Sequence, residues 1–106
     1  VVGAVTVTTG VHRLYNDTGR TLTISKVRSS ATTSPTGSTL IVDVNLGGTT
    51  IFTTQANRPA IAISGTTATG VPDVTSWADG TYLTVDVDQV GSTIAGSNLT
   101  VSVTAA

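Results

Sequence analysis

Residues 82–88 read Tyr-Leu-Thr-Val-Asp-Val-Asp, and this two-residue rhythm constrains the fold more than any other feature of the chain. Successive side chains of a β-strand point to opposite faces of the sheet. Leu83, Val85 and Val87 therefore share one face, and Tyr82, Thr84, Asp86 and Asp88 the other. The rhythm returns over residues 39–46, with Leu40, Val42, Val44 and Leu46 on one side. It returns again over residues 98–105, with Leu99, Val101, Val103 and Ala105. A helical period would spread these apolar side chains around the helix, so each run is predicted as a strand with one dry and one wet face.

Composition points the same way. Threonine is the commonest residue and valine the next; both are β-branched and favour the pleated sheet. Glutamate is absent and lysine occurs once, which removes two strong surface helix formers. Weaker alternation over residues 4–9, 11–16 and 21–28, with short runs at 50–54 and 60–64, brings the expected count to about eight short strands. In residues 21–28 the phase changes after Ile24, which predicts a β-bulge near Ser25 and Lys26. Asn16-Asp17-Thr18-Gly19 and Leu46-Gly47-Gly48 read as tight hairpin turns. Residues 65–73 read as a long polar connection interrupted by Gly70 and Pro72. Strands at this spacing predict an all-β, antiparallel, jelly-roll-like β-sandwich, whose strand order stays open. The only large aromatic side chains are Tyr15, Phe52, Trp77 and Tyr82, so the core must be thin, as between two sheets about 10 Å apart.

At 106 residues the chain is expected to form one domain, spanning 1–106. It opens on Val, contains no Met and shows no cleavable leader, so it is read as either processed or cut from a longer polypeptide, the second being the reading preferred. A net charge of −1 with four dispersed arginines gives no electrostatic footprint for nucleic acid. No run of 18 apolar residues predicts membrane insertion. Cysteine is absent, which excludes disulfides, thiolate metal sites and cysteine nucleophiles. No cofactor is expected.

Few residues invite a chemical reading. His12 is the only histidine, and no Gly-x-Ser-x-Gly elbow accompanies it; a partly exposed strand histidine is the reading adopted over a catalytic triad. Asp86 and Asp88 share a strand face, and Asp43 with Asn45 could lie on the outer face of another strand. Such carboxylates could bind Ca²⁺ or act on glycosides, but their polar setting favours solvated or subunit-contacting acids. No metal site is assigned. Trp77 is placed in a loop before a strand, where its indole either closes one end of the sandwich or presents a flat face to a sugar ring. Trp77, Asp79 and Tyr82 are the candidate ligand-binding residues. Two Asn-x-Thr sequons, at Asn16 and Asn98, are treated as chance matches in a threonine-rich chain.

Several segments together resemble a recurrent domain of tailed-phage tail fibres and minor tail proteins. They are His12-Arg13-Leu14-Tyr15-Asn16-Asp17-Thr18-Gly19, Leu40-Ile41-Val42-Asp43-Val44-Asn45, Thr49-Thr50-Ile51-Phe52, Asn57-Arg58-Pro59, and Ser76-Trp77-Ala78-Asp79-Gly80 through Asp86-Val87-Asp88-Gln89-Val90-Gly91. The similarity covers residues 11–103. It implies a receptor-binding β-sandwich on a virion appendage, extracellular, assembled as a homotrimer of identical subunits and binding host cell-surface glycan. It supplies no catalytic residues.

The expected function is therefore non-enzymatic: host-surface carbohydrate recognition and fibre assembly. The alternative is a purely structural subunit, such as a capsid decoration protein or an extracellular filament subunit. In that reading the opening run of residues 1–9 could add a strand to a neighbour's sheet edge. A small polysaccharide depolymerase is a third, weaker reading, since the acid/base set is missing.

Overall fold

The computed structural model describes residues 3–106, the Val11 side chain excepted. Among the described residues nine strands fall in two antiparallel sheets: β1 (Thr8–Tyr15), β2 (Leu22–Ser30), β3 (Leu40–Leu46), β4 (Thr49–Thr50), β5 (Ala60–Ile61), β6 (Thr67–Gly70), β7 (Ser76–Trp77), β8 (Tyr82–Gln89) and β9 (Thr100–Ala105). In the first sheet β8 lies between β1 and β3, and both β4 and β5 pair with the far side of β3. In the second, β2 is central, with β9 on one side and β6 and β7 on the other. The nested pairings β1–β8, β2–β7 and β3–β5 are those of a rolled-up hairpin, the jelly-roll pattern, and β9 is added beside β2.

The alternating runs place their apolar residues inward. Leu40, Val42 and Val44 are fully buried, and Leu83 and Val87 nearly so. Two packed clusters fill the core. One gathers Leu22, Ile24, Val27, Val44 and Leu83 around Ile51, Phe52 and Trp77. The other gathers Leu40, Val42, Ile61, Val87 and Leu99 with Val5 and Ala31. The β2–β9 register slips between Ile24 and Lys26, where the sequence changes phase. Gly47 and Gly48, both at positive φ, close the β3–β4 hairpin, a conformation that glycine adopts without steric cost.

Three local expectations are corrected. Asn16-Asp17-Thr18-Gly19 is no hairpin, because β1 and β2 belong to different sheets. Buried Asn16 turns the chain between the layers: its Nδ2 donates to the carbonyls of Arg20 (2.9 Å) and Trp77 (2.8 Å), and its Oδ1 accepts from Thr18. Residues 65–73 are not a continuous loop, since Thr67–Gly70 forms β6 against β2. A side chain at Gly70 would strike the Asn57 carbonyl and the Pro59 ring, so glycine is what lets this strand lie close beneath the neighbouring loop. Residues 4–9 do not form a strand of their own. Ala4 bridges to Ser97, and ladder pairing starts at Thr8. Val1 and Val2, which head the opening run of residues 1–9 considered for strand addition, lie outside the described residues.

The sandwich is sealed unevenly. On one long side the two layers are tied by backbone bonds, with the Asp73 and Val74 amides donating to the Ile51 carbonyl at 2.9 and 3.0 Å. On the other side β1 and β9 are both edge strands. Among the described residues only the approach to β9 is held there, by Gly3 and Val5 against Gly96 and Asn98.

Candidate functional site

The outer face of the first sheet carries the polar half of the two-residue rhythm. Tyr15 lies opposite Tyr82 across β1–β8, and Arg13 opposite Thr84. Cross-strand partners point to the same side of the sheet. The two phenol rings sit 5.4 Å apart at 49°, and the Arg13 guanidinium lies 4.5 Å from the centre of the Tyr82 ring. A side-chain hydrogen bond to Tyr15, followed by the electrostatic influence of Tyr82 and Tyr15, pushes the Arg13 pKa up, so the group stays cationic. Next to this cluster Arg13, Tyr82, Thr84, Asp86 and Asn45 line a shallow depression of about 270 Å³, with Gly10 and Gly48 at its rim.

Asp86 fixes the floor of that depression. Its Oδ1 accepts from the Gly10 amide (2.6 Å) and its Oδ2 from Asn45 Nδ2 (2.6 Å). One carboxylate thus ties β1 to β3 across β8. Asp43, its partner in the β3–β8 register, is equally enclosed. Asp43 Oδ1 accepts from Thr50 Oγ1 (2.6 Å) and from the Val44 amide (2.8 Å). Burial pushes the Asp43 pKa up, against the lowering effect of those two bonds. The expectation that these acids stand in solvent therefore fails for Asp43 and Asp86, because Thr50, Asn45 and the Gly10 bend fold over them. Asp88 does remain at the surface, in an ion pair with Arg58 (2.7 Å).

The sequence-derived candidates separate in space. Tyr82 belongs to the depression. Trp77 is 4% exposed and sits in β7 opposite Leu22, with its Nε1 donating to the Thr81 carbonyl (3.2 Å). Its indole fills the end of the core and has no free face for a ring to stack on. Asp79 is exposed in the next turn, where its carboxylate accepts from the Gly19 amide (2.9 Å) and braces the β1–β2 connection. Sequence reading missed Arg13, Tyr15 and Asn45 as site residues. Arg13 and Tyr15 do share one phase of the strand rhythm, but only the β1–β8 pairing sets them beside Tyr82. His12 has the opposite phase and is exposed on the inner side of β1, apart from any carboxylate that could orient it. Among the described residues no group of three or more His, Asp or Glu is gathered as a metal ion would need.

The depression sets the partly exposed Tyr82 ring, which carries the Arg13 guanidinium, beside the Thr84 hydroxyl, and Arg13 supplies donors. No family model matches the chain, and neither a curated protein nor a solved structure is significantly similar to it.

Proposed function

We propose that the chain is a non-enzymatic module of a virion appendage, a phage tail fibre or minor tail protein, which recognises host-surface carbohydrate and assembles with identical copies outside the cell. The observation that carries this reading is the exposed Tyr15–Tyr82–Arg13 cluster beside a fixed carboxylate and amide. Sugar recognition uses this chemistry: an aromatic face for the C–H side of a pyranose, and charged or amide groups for its hydroxyls. The segment resemblance to tail-fibre domains supports the setting. The enclosed acids support the absence of catalysis, since each is occupied by fixed donors. A glycosidase instead holds two carboxyl groups free on either side of a bound sugar.

A glycan array probed with the wild-type chain and with Tyr82→Ala tests the reading. Binding to a restricted set of host polysaccharides is expected, falling at least tenfold in the variant while the circular dichroism spectrum is unchanged. Flat wild-type binding overturns carbohydrate recognition. Release of oligosaccharide from the same polysaccharides overturns the non-enzymatic assignment.

The second reading, a purely structural capsid or filament subunit, is favoured by one observation, the uncovered apolar seam between β1 and β9.

A further inference from the structure

Arg13 on β1 and Asn45 on β3 are both register partners of Thr84 on β8. Cross-strand partners project to the same side of a sheet, so a guanidinium, a hydroxyl and an amide form one line across the depression. Adjacent strands lie about 4.8 Å apart, and the line from β1 to β3 spans roughly 10 Å, enough to lie under a sugar ring. The Asn45 Nδ2 is given to Asp86, which leaves its Oδ1 as an acceptor, while the Thr84 hydroxyl can both donate and accept.

One end of this line carries a charge that no acid meets. Arg13 is exposed, yet its head group is held 4.5 Å from the centre of the Tyr82 ring and bonded to Tyr15. A guanidinium stacked and bonded in this way is pre-organised, with little rotamer freedom left to lose when a ligand arrives. Among the described residues the one ion pair joins Arg58 to Asp88, away from Arg13. The other acids of this face are engaged as well. Asp86 is held by the Gly10 amide and Asn45, and Asp43 by Thr50 and the Val44 amide. Both are buried, so neither turns its carboxylate to the opening. The charge of Asp86 still orients a ligand: an anionic group is favoured at the Arg13 end, and neutral hydroxyls at the Asn45 end.

We propose that the ligand of this face is an acidic glycan, whose carboxylate docks on the Arg13 guanidinium while neighbouring hydroxyls bond to Thr84 and Asn45. This rests on the carbohydrate reading above and names the class of sugar that reading requires. The planar fork of a guanidinium matches the two oxygens of a carboxylate, which it binds with two parallel hydrogen bonds. A neutral sugar makes only the hydroxyl bonds and leaves the cation unmatched. A phosphate monoester carries nearly two charges, and the lining of the depression supplies no second cation for it. The pair forms at the surface, so its strength is modest and declines as salt screens it.

A glycan array printed in matched pairs tests the proposal, each carboxylate-bearing polysaccharide beside its carboxyl-reduced, neutral counterpart, with phosphate-substituted glycans alongside. The wild-type chain is compared with Arg13→Gln and Arg13→Lys, each checked for an unchanged circular dichroism spectrum. The wild type is expected to bind carboxylate-bearing members about tenfold more tightly than their reduced counterparts, and to lose this preference as salt is added. Arg13→Gln is expected to abolish the preference. Arg13→Lys keeps the charge without the fork and is expected to fall in between. The paired array and the salt series need only the wild type, so the test stands even where a variant misfolds. Equal binding to both members of each pair, unchanged in Arg13→Gln, overturns the acidic class and leaves carbohydrate recognition standing. Preference for phosphate-bearing members overturns the carboxylate assignment. Binding to no member of the array overturns the carbohydrate reading itself, and this inference with it.

Discussion

Along one flank of the sandwich, β4 and β5 meet β6 and β7 through backbone hydrogen bonds, the fully buried Ile51, Phe52 and Ile61, and the close approach of Gly70 to Asn57 and Pro59. Along the other, β1 and β9 face each other across a gap lined by half-buried valines. Both flanks are built from the same Thr, Val and Ile vocabulary, so composition does not set them apart. What differs is chain path. The closed flank is where the chain crosses between layers within short connections, such as residues 62–66 between β5 and β6, and each crossing leaves backbone donors that the opposite layer satisfies. Among the described residues the open flank is crossed by residues 3–7, where Gly3 and Val5 bond to Asn98 and Gly96 before the chain passes to β1. A fold of this size thus closes one flank by its own connectivity, while on the other the described residues hold only the approach to β9.

The contrast is sharpest in side-chain truncation. Phe52→Ala on the closed flank removes a fully buried ring and is expected to cost about 3–5 kcal/mol, a large share of the roughly 5–15 kcal/mol that holds a domain of this kind folded. Leu14→Ala on the open flank is expected to change monomer stability by no more than about 0.5–1 kcal/mol, because the side chain is already half in water. Urea denaturation of the two variants at a dilution where the chain is monomeric measures both. Equal losses would mean that the seam is as well packed as the core.

A smaller effect separates the covered acids from the open face around them. The Asp43 pKa is raised by burial above its value in the unfolded chain, so between the two values the folded state binds the extra proton. Its contribution to stability is therefore favourable at low pH and declines as pH rises through the folded value. Asp43→Asn keeps an acceptor for Thr50 and Val44 and removes the titration. The variant is expected to lose this part of the pH slope in urea midpoints taken from acid to neutral pH. A slope identical to that of the wild type would show that Asp43 titrates normally.

Much of this was legible in the sequence, and the failures have a common cause. Leu40, Val42 and Val44, like Leu83 and Val87, were placed inward by alternation alone, because period two is a local property and burial enforces it. The bulge at Ser25 and Lys26 was visible as a change of phase. The turn at Asn16 was misjudged because Asn-Asp-Thr-Gly suits an arch between layers as well as a hairpin; the choice depends on Trp77 and Arg20 offering carbonyls to the Asn16 amide. Strand β6 was hidden by its small residues, Thr67-Ala68-Thr69-Gly70, whose pairing is dictated by β2. Asp43 and Asp86 have the phase of solvent-facing residues, and only the fold of residues 48–55 and the bend at Gly10 cover them. The Tyr15–Tyr82–Arg13 cluster was out of reach for the same reason, since it exists only in the pairing of the first strand with the eighth.

The central claim is that one flank is sealed by backbone and the other is open. Site-resolved amide hydrogen exchange at a dilution where the chain is monomeric tests it directly. The amides of Val42, Ile51 and Val74, bonded to Pro59, Val44 and Ile51, are expected to be among the slowest to exchange, while those of Val101 and Val103 exchange orders of magnitude faster. Protection of Val101 and Val103 equal to that of Ile51 and Val74 in the monomer would contradict the account.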